Sequence, residues 1–145
     1  MKNTATTKPK QVIDIDALVA EAVPPRPNPQ LAFTMPVRVD SETNARESWQ
    51  KKWKRKKAQQ IYLTTCWLEQ TCKPYYRVPS LPCVVRLTRV GQKRLDDDNL
   101  RESFKAIRDA IAKVLHCDDG SELVRWEYAQ VAVGKRVYAV RVELY

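Results

Sequence analysis

Apolar residues recur at helical spacing in two segments of the chain. In residues 44–71 the large apolar side chains repeat every three or four residues, which predicts a long helix. Its expected buried face consists of Trp49, Trp53, Ile61, Thr65 and Leu68. Residues 99–115 carry a second stripe, made of Leu100, Phe104, Ile107, Ile111, Val114 and Leu115. We therefore predict two main helices, each with one face packed against the rest of the domain.

Alternating apolar and polar residues predict four strands around these helices. The first covers residues 31–39 and is edged by Pro36, the second begins at Cys83, and the last two lie at residues 124–128 and 138–144. Gly134 and Lys135, between the last two, are typical of a hairpin turn. This order of elements predicts an α+β fold, in which two main helices pack against one small mixed β-sheet.

Residues 1–30 are expected to lie outside that domain as a flexible N-terminal appendage. Residues 12–22 have the spacing of a short amphipathic helix, and four prolines at residues 24–29 then indicate a stiff, extended linker. The predicted domain covers residues 31–145.

Composition narrows the class of protein. The chain has 145 residues, of which 43% are hydrophobic, but no run approaches the ~20 apolar residues of a membrane-spanning helix. Its polar start lacks the apolar stretch of a secretory signal, so we expect a cytoplasmic protein without a membrane partner. The four cysteines form no C-x-x-C pair and there is a single histidine, His116. This pattern argues against a structural zinc site and favours reduced cysteines.

Charge is distributed unevenly along the chain. The net charge is +9, yet residues 41–94 alone hold 13 Lys and Arg against three acidic residues, whereas residues 95–121 hold four against seven. A strongly basic surface favours a polyanionic partner such as DNA. The basic residues that could contact phosphates are Arg46, Lys51, Lys52, Lys54, Arg55, Lys56, Lys57, Lys93 and Arg94. The run at 51–57 is either a solvated helix face or a phosphate-contact surface, and no acidic residue within it balances the charge.

The acidic segment begins with three adjacent aspartates, Asp96, Asp97 and Asp98, followed by Asn99. Capping of the following helix explains one or two of them, but three neighbouring carboxylates repel one another unless a cation is present. At an extended strand end, Asp96 and Asp98 point to the same side. That arrangement suits a hard divalent cation, and it leaves Asp97 as the expected helix cap.

Further polar residues follow on the second helix. Asp98, Glu102, Lys105 and Asp109 share one helix face at spacings of three and four residues, which indicates either salt-bridged surface residues or a functional lysine. Asp118 and Asp119 then precede Gly120, as in an ordinary turn. Seventeen helical residues would span about 25 Å. Asp119 therefore reaches Asp96 only if the helix ends early and the chain folds back, or if a partner subunit supplies the aspartate.

Together these motifs resemble the RusA family of Holliday-junction resolvases. The resemblance rests on residues 95–100, on the Lys-Ala-Ile-Arg-Asp run at 105–109 and on the Asp-Asp pair at 118–119, and it extends over residues 31–145. The residues around these motifs also resemble RusA-like proteins encoded by phages and prophages. Such a protein is expected to be a small homodimeric endonuclease that cleaves branched DNA in recombination and repair, with Mg²⁺ or Mn²⁺ and no small-molecule cofactor.

The resemblance also implies roles for individual residues. The family's metal-binding and catalytic aspartates fall on Asp96, Asp98 and Asp119, and its functional lysine falls on Lys105. The better-known bacterial pattern has that lysine three positions after the asparagine, where this chain has Glu102, so an insertion of about one helical turn is needed. Two other classes of protein compete with the nuclease: a non-catalytic nucleic-acid-binding protein, and a basic scaffold or interaction protein.

Overall fold

The chain folds into helices arranged on both faces of one four-stranded sheet. The computed structural model describes residues 12–43, 46–76 and 78–145. Its elements, in chain order, are α1 (Ile15–Ala22), β1 (Leu31–Met35), α2 (Trp49–Thr71), β2 (Cys83–Gly91), α3 (Asp97–Ser103), α4 (Lys105–Val114), β3 (Val124–Ala132) and β4 (Ala139–Leu144). The expected mixed α+β architecture is confirmed. Within the described ranges, no helix is long and apolar enough to cross a membrane.

The sheet has the order β1-β4-β2-β3, with β2 and β3 parallel and β4 antiparallel to both of its neighbours. The predicted hairpin at residues 134–135 is therefore wrong, because β3 and β4 lie on opposite sides of β2. Their connection crosses the end of β2, where Val133 N donates to Gly91 O at 2.9 Å and Gly134 N to Gln92 O at 3.1 Å. Gly134 has a φ of +67°, a conformation in which its missing side chain avoids strain.

One face of the sheet carries the main core, and here the alternation was predicted correctly. Val85 and Leu87 of β2 face the same side as Val140 and Val142 of β4, and all four are fully buried. Residues from the helices complete this core, namely Leu63, Trp67, Leu100, Phe104, Ile107 and Ile111. The helical stripe predicted within residues 99–115 is confirmed, since Leu115 is buried as well and Val114 is partly buried against the same core.

Helix α2 buries a different face from the one predicted. It begins at Trp49, after the N-cap Ser48, and its buried residues are Gln59, Leu63 and Trp67. The residues expected to be buried are exposed instead, to 74% at Trp49, 55% at Trp53, 58% at Ile61 and 53% at Leu68, with Thr65 exposed as well. Both rows repeat every four residues, so periodicity alone does not decide between them. Residues 44–45 of the predicted helix lie outside the described part of the chain.

The second predicted helix is divided into two. Helix α3 ends at Ser103, and Phe104, with φ of −92° and ψ of 0°, joins it to α4. The Phe104 ring is fully buried and stacks on Tyr128 of β3, with ring centroids 5.9 Å apart. The break shortens the helix that leads towards Asp119 to the ten residues of α4.

The described part of the expected appendage packs on the opposite face of the sheet. Helix α1 follows the N-cap Asp14 and buries Val19 against Val90, Val131 and Ala139. Polar contacts extend this packing: Arg86 donates to the carbonyl of Pro24 at 3.0 Å, Arg141 pairs with Asp16 at 3.1 Å, and Arg26 pairs with Glu127 at 3.1 Å. Residues 12–30 therefore contribute to the folded domain, while residues 1–11 lie outside the described part.

Candidate functional site

The three adjacent aspartates form the start of α3. Asp96 is the N-cap, with φ of −69° and ψ of 166°, and its Oδ1 accepts from the backbone N–H of Asn99 at 2.9 Å. Asp97 and Asp98 occupy the first helical turn, and all three side chains are exposed. The prediction that Asp97 is the cap is wrong. The prediction that these aspartates lie at an extended strand end is wrong as well, because β2 stops at Gly91 and four residues separate it from Asp96.

Buried polar contacts hold the loop that leads to these aspartates. Arg89, only 4% exposed, donates from Nε to Val39 O at 3.0 Å and from Nη1 to Lys93 O at 2.8 Å. Burial lowers the pKa of Arg89, and the nearby Asp40 carboxylate, 3.9 Å away, acts in the opposite direction. Sequence reasoning missed this anchor, although an arginine within a buried strand is the signal that could have found it.

Gln130 of β3 holds the next residue of the same loop. Its side-chain amide bonds both backbone groups of Leu95, accepting from N at 2.9 Å and donating to O at 2.7 Å. On the other side of α3, the Asn99 side-chain oxygen accepts from the hydroxyl of buried Ser41. The position of Asp96 and Asp98 is therefore determined by groups on β2, β3 and the segment after β1.

Asp119 folds back onto the start of α4. Its Oδ2 lies 3.5 Å from Arg108 Nη2 and 3.9 Å from Lys105 Nζ, and Lys105 also pairs with Asp109 at 3.2 Å. The Asp119 carbonyl accepts from the indole N–H of Trp126 at 3.0 Å. Because α4 is short, the chain returns to Lys105 without the 25 Å separation that a single long helix would impose.

The structure thus brings Asp119 and Lys105 together, but it keeps Asp119 apart from Asp96. Gln130, which bonds Leu95, and Trp126, which bonds Asp119, lie on the same face of β3. These two anchors are four residues, or about 13 Å, apart along the strand. Within the described ranges, no three His, Cys, Asp or Glu side chains gather closely enough to hold a metal ion. Asp96 and Asp98 fit a hard cation by their chemistry and exposure, whereas Asp119 is engaged with two cationic side chains.

Glu102, which occupies the position of the bacterial lysine, has a separate contact. Its Oε2 accepts from the hydroxyl of Thr43 at 2.7 Å. Glu102 and Lys105 also line a shallow cavity of about 350 Å³ with Lys56 and Glu42. Of the two candidates for the functional lysine position, only Lys105 faces Asp119.

Part of the basic run on α2 is balanced by acidic residues that precede the helix. Arg55 pairs with Glu42 at 3.3 Å and with Glu47 at 3.1 Å, and Lys56 lies 3.4 Å from Glu42. Lys52 donates to the backbone carbonyl of Glu42 at 3.3 Å. The expectation of an unbalanced run therefore fails for Arg55 and Lys56, whereas Lys52 bonds only a backbone carbonyl.

The remaining basic side chains are exposed and form no ion pair with any described residue. On α2 they are Lys51, Lys54 and Lys57, which we call the lysine row. Arg46, Lys93 and Arg94 are exposed in the same way. The charge of the lysine row and of these three residues is therefore free to act on a partner.

The fold and the site define a basic, mixed α+β domain with exposed carboxylates at a helix start. Compared with models of known protein families and with curated proteins, the chain matches none. Its functional interpretation therefore depends on the motifs and on the geometry given above.

Proposed function

We propose that the chain is a RusA-like, metal-dependent endonuclease that cleaves branched DNA such as a four-way junction. The observation that carries the proposal is the return of Asp119 to Lys105, so that an acidic and a cationic residue from two separate motifs share one surface. That surface lies on the same face of β3 as Gln130, which anchors the loop of Asp96 and Asp98.

In the proposed reaction each residue has a role set by its surroundings. Mg²⁺ or Mn²⁺ would supply an activated water and neutralise charge on the phosphate. Asp96 and Asp98 would hold the ion, and the bond from Asn99 N keeps the Asp96 carboxylate oriented. Lys105 is held by a hydrogen bond to Asp109 at 3.2 Å and lies 3.9 Å from Asp119. Its ammonium can approach a phosphate oxygen from the exposed surface. Asp119 would join the ion only if its pairs with Lys105 and Arg108 open.

The lysine row would contact the DNA backbone beside this site. Gln60 of α2 donates to the carbonyl of Ala106 on α4 at 3.3 Å, so the two helices are held side by side. Backbone contacts of this kind provide affinity without sequence preference, as expected for recognition of DNA shape.

Cleavage of a synthetic four-way junction, in Mg²⁺, Mn²⁺ or EDTA, tests the proposal. Asp98→Asn should abolish cleavage and leave junction binding intact or tighter, because an amide is a poor ligand for Mg²⁺ and the lost charge reduces repulsion of DNA. Asp97→Asn is the matched control, since Asp97 is exposed in the same helical turn, and it should retain activity. If Asp98→Asn cleaves the junction at the wild-type rate, or if cleavage persists in EDTA, the metal-site assignment is refuted.

The proposal includes a homodimer, because resolving a two-fold symmetric junction takes two paired cuts and a closed dimer presents two matching sites. Mixing Asp98→Asn chains with Asp119→Asn chains separates the two possible arrangements of that dimer. If Asp119 acts on the partner's site, each mixed dimer regains one intact site and some activity. If it acts within its own chain, every mixed dimer stays inactive. If light scattering shows only a monomer, both with and without junction DNA, the dimer part of the proposal is wrong.

A non-catalytic nucleic-acid-binding protein is the second candidate. It is favoured by two contacts: Asp96 caps α3, and Asp118 Oδ1 accepts from Gly120 N at 3.4 Å within a turn. In that case the aspartates have structural roles only. Junction binding without cleavage in any of the metals would select this candidate.

A further inference from the structure

Two tryptophans at the start of α2 expose large aromatic surfaces. Trp49 is 74% exposed and Trp53 55% exposed, and their spacing of four residues makes them neighbours on the helix surface. Neither belongs to a buried cluster in the described part of the chain. Pairs of exposed large aromatic residues mark interaction sites more often than isolated apolar residues do.

The charge around these rings favours a polyanionic partner. The lysine row lies on the same stretch of helix, and residues 49–68 contain no Asp or Glu. The acidic residues that precede α2 pair with Arg55 and Lys56. Arg55 lies two positions after Trp53 and faces a different side of the helix, whereas Lys56 lies three positions after Trp53 and next to its ring. Lys57, four positions after Trp53, lies beside its ring on the helix surface, and Lys51 and Lys54 extend the positive charge round the helix. Exposed aromatic rings beside positive charge are used by proteins to bind single-stranded nucleic acid, with bases on the rings and phosphates on the lysines.

The tryptophans also lie near the candidate site. Lys56 of α2 lines the same cavity as Lys105. At 1.5 Å per residue, Trp53 is about 4.5 Å and Trp49 about 10 Å from Lys56 along the helix axis. These distances correspond to roughly one to three nucleotides at 3.4 Å each.

We propose that Trp49 and Trp53 stack on unpaired bases of the DNA, next to the phosphate that is cleaved. The preferred substrate is then branched DNA with a single-stranded stretch, and not fully paired duplex. This inference rests on the DNA substrate of the proposed function. It adds the feature of that DNA that the protein would select, a single-stranded stretch. A second copy of the chain is a poorer occupant of this face, because a two-fold contact there would bring two lysine rows together and like charges repel.

The test is binding of a fluorescently labelled 12-nucleotide oligo-dT and of a duplex of the same length. Replacing either Trp53 or Trp49 by Ala should weaken oligo-dT binding by about 5- to 150-fold, the range measured for loss of one stacked base. Duplex binding should change less than twofold. Trp53→Phe should retain most of the affinity, since a smaller ring still stacks. Ile61→Ala is the matched control, because Ile61 is exposed on the same helix without an aromatic ring, and it should leave both affinities unchanged.

The stacking proposal is overturned if the Trp variants lose no affinity for oligo-dT, or lose equal affinity for oligo-dT and duplex. It is also overturned if they convert a wild-type dimer to a monomer in light scattering. The last would identify the face as the contact between subunits. Junction cleavage is measured on the same proteins. Trp-dependent binding without any cleavage would refute the endonuclease alone, and cleavage that ignores both Trp changes would refute the stacking alone.

Discussion

Replacing Gly91 by Ala should destabilise the domain through Arg89. A Cβ at position 91 would lie 2.6 Å from Arg89 Nη1 and 2.7 Å from Cζ and Nη2, closer than any real contact of this kind. An exposed arginine would move aside at little cost. Here the guanidinium is buried and donates to the carbonyls of Val39 and Lys93, so displacement breaks at least one of these bonds.

The size of the effect follows from those bonds. A hydrogen bond to a charged group is worth about 1.5–3 kcal/mol, so the loss of one should lower the free energy of unfolding by that amount. At roughly 4 °C per kcal/mol for a domain of this length, Tm should fall by about 6–12 °C. Gly120→Ala is the matched control, because its Cβ would meet nothing within 4 Å.

Thermal and urea unfolding, followed by circular dichroism, measure this difference. We expect Gly120→Ala to stay within about 0.5 kcal/mol of the wild type. If Gly91→Ala unfolds at the wild-type temperature, then the Arg89 side chain relocates freely, and its role as the anchor of the loop before Asp96 is wrong.

Three further predictions test the helix face, the cysteines and the basic surface. Leu63→Ala should cost about 2–5 kcal/mol of stability because Leu63 is fully buried, whereas Leu68→Ala should cost less than about 0.5 kcal/mol; equal costs would contradict the observed face. Iodoacetamide should label exposed Cys72 in the folded protein and spare Cys83, whose pKa is raised by burial and which gains thiolate only at higher pH; mass spectrometry of digests reads this out. Alanine at all three positions of the lysine row should reduce the log–log salt slope of DNA binding by roughly one unit per lost phosphate contact, and an unchanged slope would place the DNA elsewhere.

Which residues of a strand face the core was predictable, because burial of one face of a sheet imposes a period of two on the apolar residues. The faces formed by Val85 and Leu87, and by Val140 and Val142, agree with the sequence pattern. Which strands are neighbours was not predictable in the same way. The turn-like pair Gly134 and Lys135 suits a hairpin, but the pairing partner of β4 is chosen by contacts far away in the sequence.

The face of α2 shows a second limit of sequence patterns. Trp49 and Trp53 form a more apolar row than Gln59 and Leu63, yet the second row is buried. Gln59 makes this possible because its side-chain amide donates to the carbonyl of Arg38 at 2.8 Å, which satisfies a polar group inside the core. Hydrophobicity alone cannot anticipate such a partner, and Trp49 and Trp53 stay exposed as a result.

The candidate site has two groups of aspartates, and they differ in whether basic side chains neutralise their charge. Asp109 and Asp119 are paired with Lys105 and Arg108, so their charge is already balanced within the fold. Asp96, Asp97 and Asp98 have no ion pair with any described residue, and only the start of α3 offsets their charge. The cation that we propose would therefore meet unpaired carboxylates at the start of α3. Binding at Asp119 would instead require the loss of two existing pairs. This difference makes Asp98→Asn, and not Asp119→Asn, the variant that isolates the proposed metal from the proposed lysine.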